Sequence, residues 1–226
     1  MYNYFLDKRI KAYEADKTTL TYNKCSGELT KLKQELVWLK EPDKCSLQNA
    51  LKQLDAAYQN FFKRIDAGYP KFKSKKNRHK SYKTNRTNKN IAFADGKIKL
   101  PKIGKVKVRD KQIPQGRILN ATISQTPSGK YFVSLCCTDI EQPAFARTDK
   151  YVGIDLGIKD FAITSDGYKY SNHKYLKQSL TKLAHLQREL SRKTKGGSNW
   201  EKARIKVARW QEKIANQRKD KLNKLS

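Results

Sequence analysis

Residues 151–157, Tyr-Val-Gly-Ile-Asp-Leu-Gly, hold one carboxylate at the centre of an almost wholly apolar run. Such a run reads as a buried strand. An ionised Asp155 inside it is costly unless something pairs with it, and a metal ion is the usual partner where other acids converge. Gly153 and Gly157 keep the backbone slim beside the carboxylate, so that a metal or a phosphate can approach. A purely structural role, with Asp155 capping a turn, is the alternative that these residues leave open.

The stretch after Asp155 sets the fold expected around it. A turn at Ile158-Lys159-Asp160 leads to a second strand, Phe161–Thr164, and Asp166-Gly167 turns into a third around Tyr168–Tyr170. Two amphipathic helices follow. The first carries Leu176, Leu180, Leu183 and Leu190; the second carries Trp200, Ala203, Val207, Trp210 and Ile214, with Ser198-Asn199-Trp200-Glu201 as a capping box. A strand meander followed by helices is the opening of an RNase H-like domain, and residues 150–226 are read as its first part. Actin-like ATPases also begin with a strand of this kind, but they place Thr or Ser directly after it to meet phosphate. Here Ile158, Lys159 and Asp160 stand there, which argues against an ATPase.

Upstream, residues 2–66 read as helical. Leu29, Leu32, Leu36 and Leu39 recur at three and four residues, as do Leu47, Leu51, Leu54, Tyr58, Phe61 and Ile65, with Ser46 as the N-cap and Gly68 as the stop. Nothing before Tyr2 caps the first helix, which looks entered part-way. Residues 91–137 switch to strand signals. Asp95-Gly96 marks a tight turn, Ile98, Leu100, Val106 and Val108 alternate with cations, and Ile118–Thr126 with Tyr131–Cys137 make a hairpin. The expected architecture is α+β: a helical region (1–68), a basic loop (69–89), a small antiparallel β-barrel (90–138), an acidic proline-containing joint (139–149) and the incomplete α/β segment (150–226).

Charge decides the partner. The chain has 50 Lys plus Arg against 21 Asp plus Glu, a formal +29. Between Ala67 and Thr138 eighteen cations face only Asp95 and Asp110. Such a block repels itself until a polyanion neutralises it, so nucleic acid is the expected partner. In the basic loop Lys71, Lys73, Lys75, Lys76 and Arg78 are followed by Lys80, Lys83 and Arg86, with Tyr69, Phe72 and Tyr82 between them. Cations for phosphates and rings for unpaired bases suit RNA or single strands. Lys105, Lys107 and Arg109 in the barrel, within the longer cationic stretch 97–111, and Arg204 and Arg209 on the last helix complete the candidate contacts. No apolar run reaches the ~20 residues that span a bilayer, and no signal peptide opens the chain. Cys25, Cys45, Cys136 and Cys137 lack C-x-x-C spacing; they are read as buried reduced thiols of a cytoplasmic protein, not as zinc ligands.

The segment YVGIDLGIKDFAITSDG resembles the first RuvC motif of the TnpB (OrfB) family, encoded by insertion sequences. Six further blocks resemble family blocks in family order: YNYFLDKRIKAY, LTKLKQELVWLK, ALKQLDAAYQNFFKR, GYPKFKSKKNRHKSY, IKLPKIGKVKVR and NWEKARIKVARWQEKIANQRKD. The resemblance implies an RNA-guided DNA endonuclease with a helical REC region at 2–68, a wedge region at 90–138 and the start of a RuvC nuclease at 150–226. Guide RNA and target DNA would be its partners and Asp155 the first of three carboxylates holding Mg²⁺. The family's second and third catalytic carboxylates and its cysteine ribbon lie downstream and have no counterpart here. Nor has the family's first strand. The chain therefore reads as an internal portion of the family pattern, cut at both ends, with Mg²⁺ weakly bound or absent and cleavage impaired. A nuclease-dead nucleic-acid-binding regulator and the product of a decayed gene are the competing expectations; oligomeric state is left open.

Overall fold

The computed structural model describes residues 1–110, 113–141, 144 and 148–225. Lys111, at the end of the 97–111 cationic stretch, and residues 142, 143 and 145–147 of the expected joint at 139–149 lie outside the described residues. The described chain is mixed α+β. It divides into two compact units, Met1–Thr126 with Lys130–Glu141, and Pro127–Gly129 with the described residues of Gln142–Ser226.

The first unit begins with helices α1 (Tyr2–Asp16), α2 (Tyr22–Glu35) and α3 (Lys44–Lys63), with a 3-10 turn at Val37–Lys40. As expected, no side chain caps α1 at Met1. Phe5 and Leu6 from α1, Cys25 and Leu29 from α2, and Leu47, Leu51 and Leu54 from α3 form one core. In α2 and α3 the three- and four-residue spacing puts each set on a single helix face. Two details differ from the sequence reading. Asp43, not Ser46, caps α3: its side chain accepts the Ser46 backbone N–H at 3.0 Å. The helix also stops at Lys63, well before Gly68, and Ile65 is fully exposed.

Six strands complete this unit: β1 (Lys80–Asn85), β2 (Ala92–Ala94), β3 (Lys97–Leu100), β4 (Gly104–Lys107), β5 (Arg117–Gln125) and β6 (Tyr131–Thr138). They form two antiparallel three-stranded sheets, β1-β5-β6 and β2-β3-β4. Ile98 and Leu100 of one sheet pack with Ile118 and Ala121 of the other, and Ile91 joins them. The expected closed barrel is thus corrected to two open sheets sharing a core. No strand of one sheet is paired with a strand of the other among the described residues, and β4 has no buried residue with which to turn a corner. A further difference is β1, which lies inside the stretch expected to be a loop. Asp95 and Gly96, both at positive φ, make the tight turn between β2 and β3.

In the second unit β7 (Ile154–Leu156), β8 (Asp160–Thr164) and β9 (Lys169–Ser171) form an antiparallel meander in that order. Helices α4 (Tyr175–Ser191) and α5 (Ser198–Leu225) then pack on each other. Ala203, Val207 and Ile214 of the expected stripe are buried, and the Trp210 indole N–H donates to the Ser179 carbonyl at 3.4 Å. Helix α5 begins at Ser198 itself, so Ser198 stands inside the helix, not at its cap. The Glu201 N–H donates to the Gly197 carbonyl, and a Glu201 carboxylate oxygen accepts from Arg204 at 2.7 Å. The four cysteines are free: Cys25 and Cys45 are buried as expected, Cys137 is half-buried, and Cys136 is exposed. Adjacent residues of a strand face opposite ways, and β6 lies at the edge of its sheet.

Candidate nucleic-acid interface and the Asp155 strand

Asp155 occupies the centre of β7, opposite Ile163 of β8. The turn at Gly157 must stay slim, because a Cβ there would lie 3.0 Å from the Asp160 carbonyl oxygen. Gly153 and Ser165 are joined twice: the Gly153 N–H donates to the Ser165 hydroxyl at 3.1 Å, and the Ser165 N–H donates to the Gly153 carbonyl at 2.8 Å. The expectation of a buried strand fails here. All three β7 residues are exposed, with Ile154 at 61% and Leu156 at 71%. The cause is a lack of packing: β7 is paired only with β8, and none of its residues enters an apolar core cluster of the described residues. Burial therefore gives Asp155 no need of a counter-ion. Among the described residues no group of three or more His, Cys, Asp or Glu stands close enough to hold a metal. The carboxylate implied as a Mg²⁺ ligand does not make a metal centre with its described neighbours, since a lone carboxylate holds hydrated Mg²⁺ weakly.

The basic residues are built differently. Lys71, Lys75, Lys76, Arg78 and Lys80 are exposed. Lys73 is tethered: its ammonium donates to Gln53 at 3.0 Å and sits 4.2 Å from the centre of the Tyr2 ring. Burial there pushes the Lys73 pKa down. Its backbone N–H donates to Asn3, which returns a hydrogen bond to the Lys73 carbonyl. The basic segment is thus pinned to α1 and α3. Strand β1 continues the anchoring. Thr84, fully buried, donates to Asp43 at 2.7 Å, and Asn49 donates to the Lys83 carbonyl at 2.9 Å. Asp43 therefore caps α3 and binds β1 with the same oxygen. Tyr82 and Lys83 are half-buried, and burial raises the Tyr82 pKa. Arg86 is half-buried too, with a guanidinium N–H donating to the Ile118 carbonyl at 3.5 Å.

Lys105 and Lys107 gain partners that the sequence reading held only inside the longer stretch. Lys97 lies directly opposite Lys107, and Lys99 opposite Lys105. Side chains of residues opposite each other share a face, and all four lysines are exposed while Ile98 and Leu100 of β3 turn to the core. Two like-charged pairs on one hairpin destabilise it in the free chain. The lysines were visible in the sequence, but the register that sets them face to face is fixed by the short connection at 101–103 between β3 and β4. Arg109 is exposed, as is Arg209 on α5, whereas Arg204 is partly buried and paired with Glu201.

Residues 134–226 match the model of the OrfB_IS605 family, described as a probable transposase. The whole chain is 36% identical to a Streptomyces pristinaespiralis protein named "Putative RNA-guided DNA endonuclease". The chain belongs to the OrfB (TnpB) family. A second family member, "Putative RNA-guided DNA endonuclease InsQ" of Escherichia coli K12, is 32% identical over the whole chain. The chain spans about 56% of the length of each of these OrfB relatives. No helix among the described residues is long and apolar enough to cross a membrane.

Proposed function

We propose that this OrfB chain is the nucleic-acid-holding portion of an RNA-guided DNA endonuclease, with guide RNA and target DNA as its ligands. In this reading Met1–Gly68 corresponds to the REC region, 90–138 to the wedge and 150–226 to the start of a RuvC-like nuclease. The observation that carries it is the lysine ladder of β3 and β4, where Lys97 faces Lys107 and Lys99 faces Lys105. The hairpin is strained by its own charge and relieved by phosphates. The exposed cations of 71–80 extend the same surface chemistry along the chain, with Arg109 and Arg209 as further contacts. Asp155 would lend one carboxylate to a Mg²⁺ centre whose other ligands are not among the described residues.

The two names of the OrfB relatives support RNA and DNA as partners. The competing reading is a nucleic-acid binder that does not cleave. Both readings make binding independent of Asp155. Affinity for guide-like RNA and for target DNA should fall by about 10³-fold between 50 and 200 mM salt, the loss expected when some six phosphates are neutralised. Titrations of the wild type and Asp155→Ala at several salt concentrations measure this. A flat salt response would remove the proposal. Metal-dependent cleavage of guided DNA that Asp155→Ala abolishes would decide for the enzyme over the regulator.

A further inference from the structure

Helices α1 and α3 carry an aromatic groove that the charged surface leaves unexplained. Tyr13, Tyr58, Phe61, Phe62 and Tyr69 surround a cavity of about 370 Å³. The Tyr69 ring meets Tyr58 and Phe61 edge-on, with centroids 5.7 and 5.3 Å apart, and the Tyr58 and Tyr69 hydroxyls are 2.9 Å apart. Tyr58 and Phe62 stack at 6.4 Å. These contacts hold the Phe62 ring without covering it, at 76% exposed, and Tyr13, on the same cavity, is 56% exposed. Arg9 also lines the cavity. It is only 8% exposed, donates from Nη2 to Asp55 at 2.9 Å, and stands 5.1 Å from the Tyr58 ring centre. Its buried Nε finds no hydrogen-bond partner among the described residues.

The occupant follows from the chemistry. Bare, immobilised rings gain by stacking on a flat apolar face and lose little freedom in doing so. A phosphate is a poor guest, because the Asp55 carboxylate lines the same cavity and repels it. A planar base suits it, with ring faces for stacking and an Arg–Asp pair to meet donors and acceptors on the base edge. In a duplex the base faces are already covered by their neighbours, so the base must be unpaired. Tyr69 is both a wall of the groove and the first residue of the 69–89 stretch with its nine Lys or Arg and no acid. Lys17 lies 5.0 Å from the Tyr13 ring centre. A strand whose phosphates follow the basic stretch would thus deliver a base to the rings.

We propose that this groove takes one unpaired nucleobase of a single strand, stacked on Phe62 with its edge toward Arg9 and Asp55. The proposal rests on the nucleic-acid-binding reading above and adds a specific place for a base. Its test uses the full chain and short oligonucleotides of one sequence as single-stranded RNA, single-stranded DNA and duplex, with 2-aminopurine in the single strands. Phe62→Ala and Tyr13→Ala should each weaken single-strand binding about tenfold, the effect of losing one stacked base. Duplex affinity and the salt slope should not move. The 2-aminopurine quenching should vanish in Phe62→Ala and return in Phe62→Trp. Whichever single strand loses more is the natural source of the base. If Phe62→Ala leaves single-strand affinity and quenching intact while wild-type binding stays salt-dependent, the groove proposal falls and nucleic-acid binding stands. If the wild type binds no strand, both fall.

Discussion

Asp43 shows how much a single oxygen can hold. Its Oδ2 accepts from the Ser46 N–H at the start of α3 and from the buried Thr84 hydroxyl on β1. Replacing an N-cap by Ala costs about 1 kcal/mol, and orphaning a buried hydroxyl about 1–3 kcal/mol more. Asp43→Ala should therefore destabilise the chain by about 2–4 kcal/mol in urea unfolding, and Asp43→Asn by less, since it keeps an acceptor. Adding Thr84→Val to Asp43→Ala should recover part of the loss by removing the orphaned group. Strictly additive effects would show that the two residues do not act through one bond. Little of this was legible beforehand. Both Ser46 and Asp43 are good caps by type, and the choice depends on where α3 meets β1, which no local pattern encodes. Asp155 teaches the converse: its apolar neighbours announced burial, but burial belongs to whatever lies beside a strand, not to the strand.

At the scale of elements, alternation was a good guide in β3 but not in β4, where Val106 is exposed like its lysine neighbours. Ile98 and Leu100 are buried and Lys97 and Lys99 exposed, as a period of two requires. Strand β1 was missed because Lys80–Asn85 has no apolar alternation; its one buried residue is Thr84, satisfied by Asp43. The barrel was overread for a related reason, since strand count and spacing say nothing about which edges join. The register of β3 and β4 yields a prediction of opposite signs. Lys99→Glu turns the repulsive pair with Lys105 into an attractive one, so the free chain should gain about 0.5–1 kcal/mol. The same change should weaken nucleic-acid binding several-fold and lower the salt slope by one or two contacts. Thermal melts with and without oligonucleotide measure both. A destabilised free chain, or unaltered binding, would show that the ladder neither strains the hairpin nor meets phosphate.

Across the whole molecule, stability should be unevenly shared. The first unit has two continuous cores, one among the helices and one between the sheets. In the second unit the meander is three short strands, and Tyr151, Val152, Ile154, Leu156 and Ile158 are all exposed. An edge strand with so little packing opens at almost no cost, whereas strands inside a core open only with their whole unit. Amide exchange should therefore be much faster at Ile154–Leu156, by about 10²-fold or more, than at Ala121–Ile123, which lie between β1 and β6. Helix α5 should fall between the two, because Ala203, Val207 and Ile214 are buried. Comparable protection of β7 and β5 would mean that the Asp155 strand is covered in solution, by a second copy or another chain. In that event protein concentration separates the cases: protection that fades on dilution marks a self-associated chain. Protection that persists on dilution, in the purified chain alone, would overturn the exposed edge and restore the buried carboxylate that the sequence suggested.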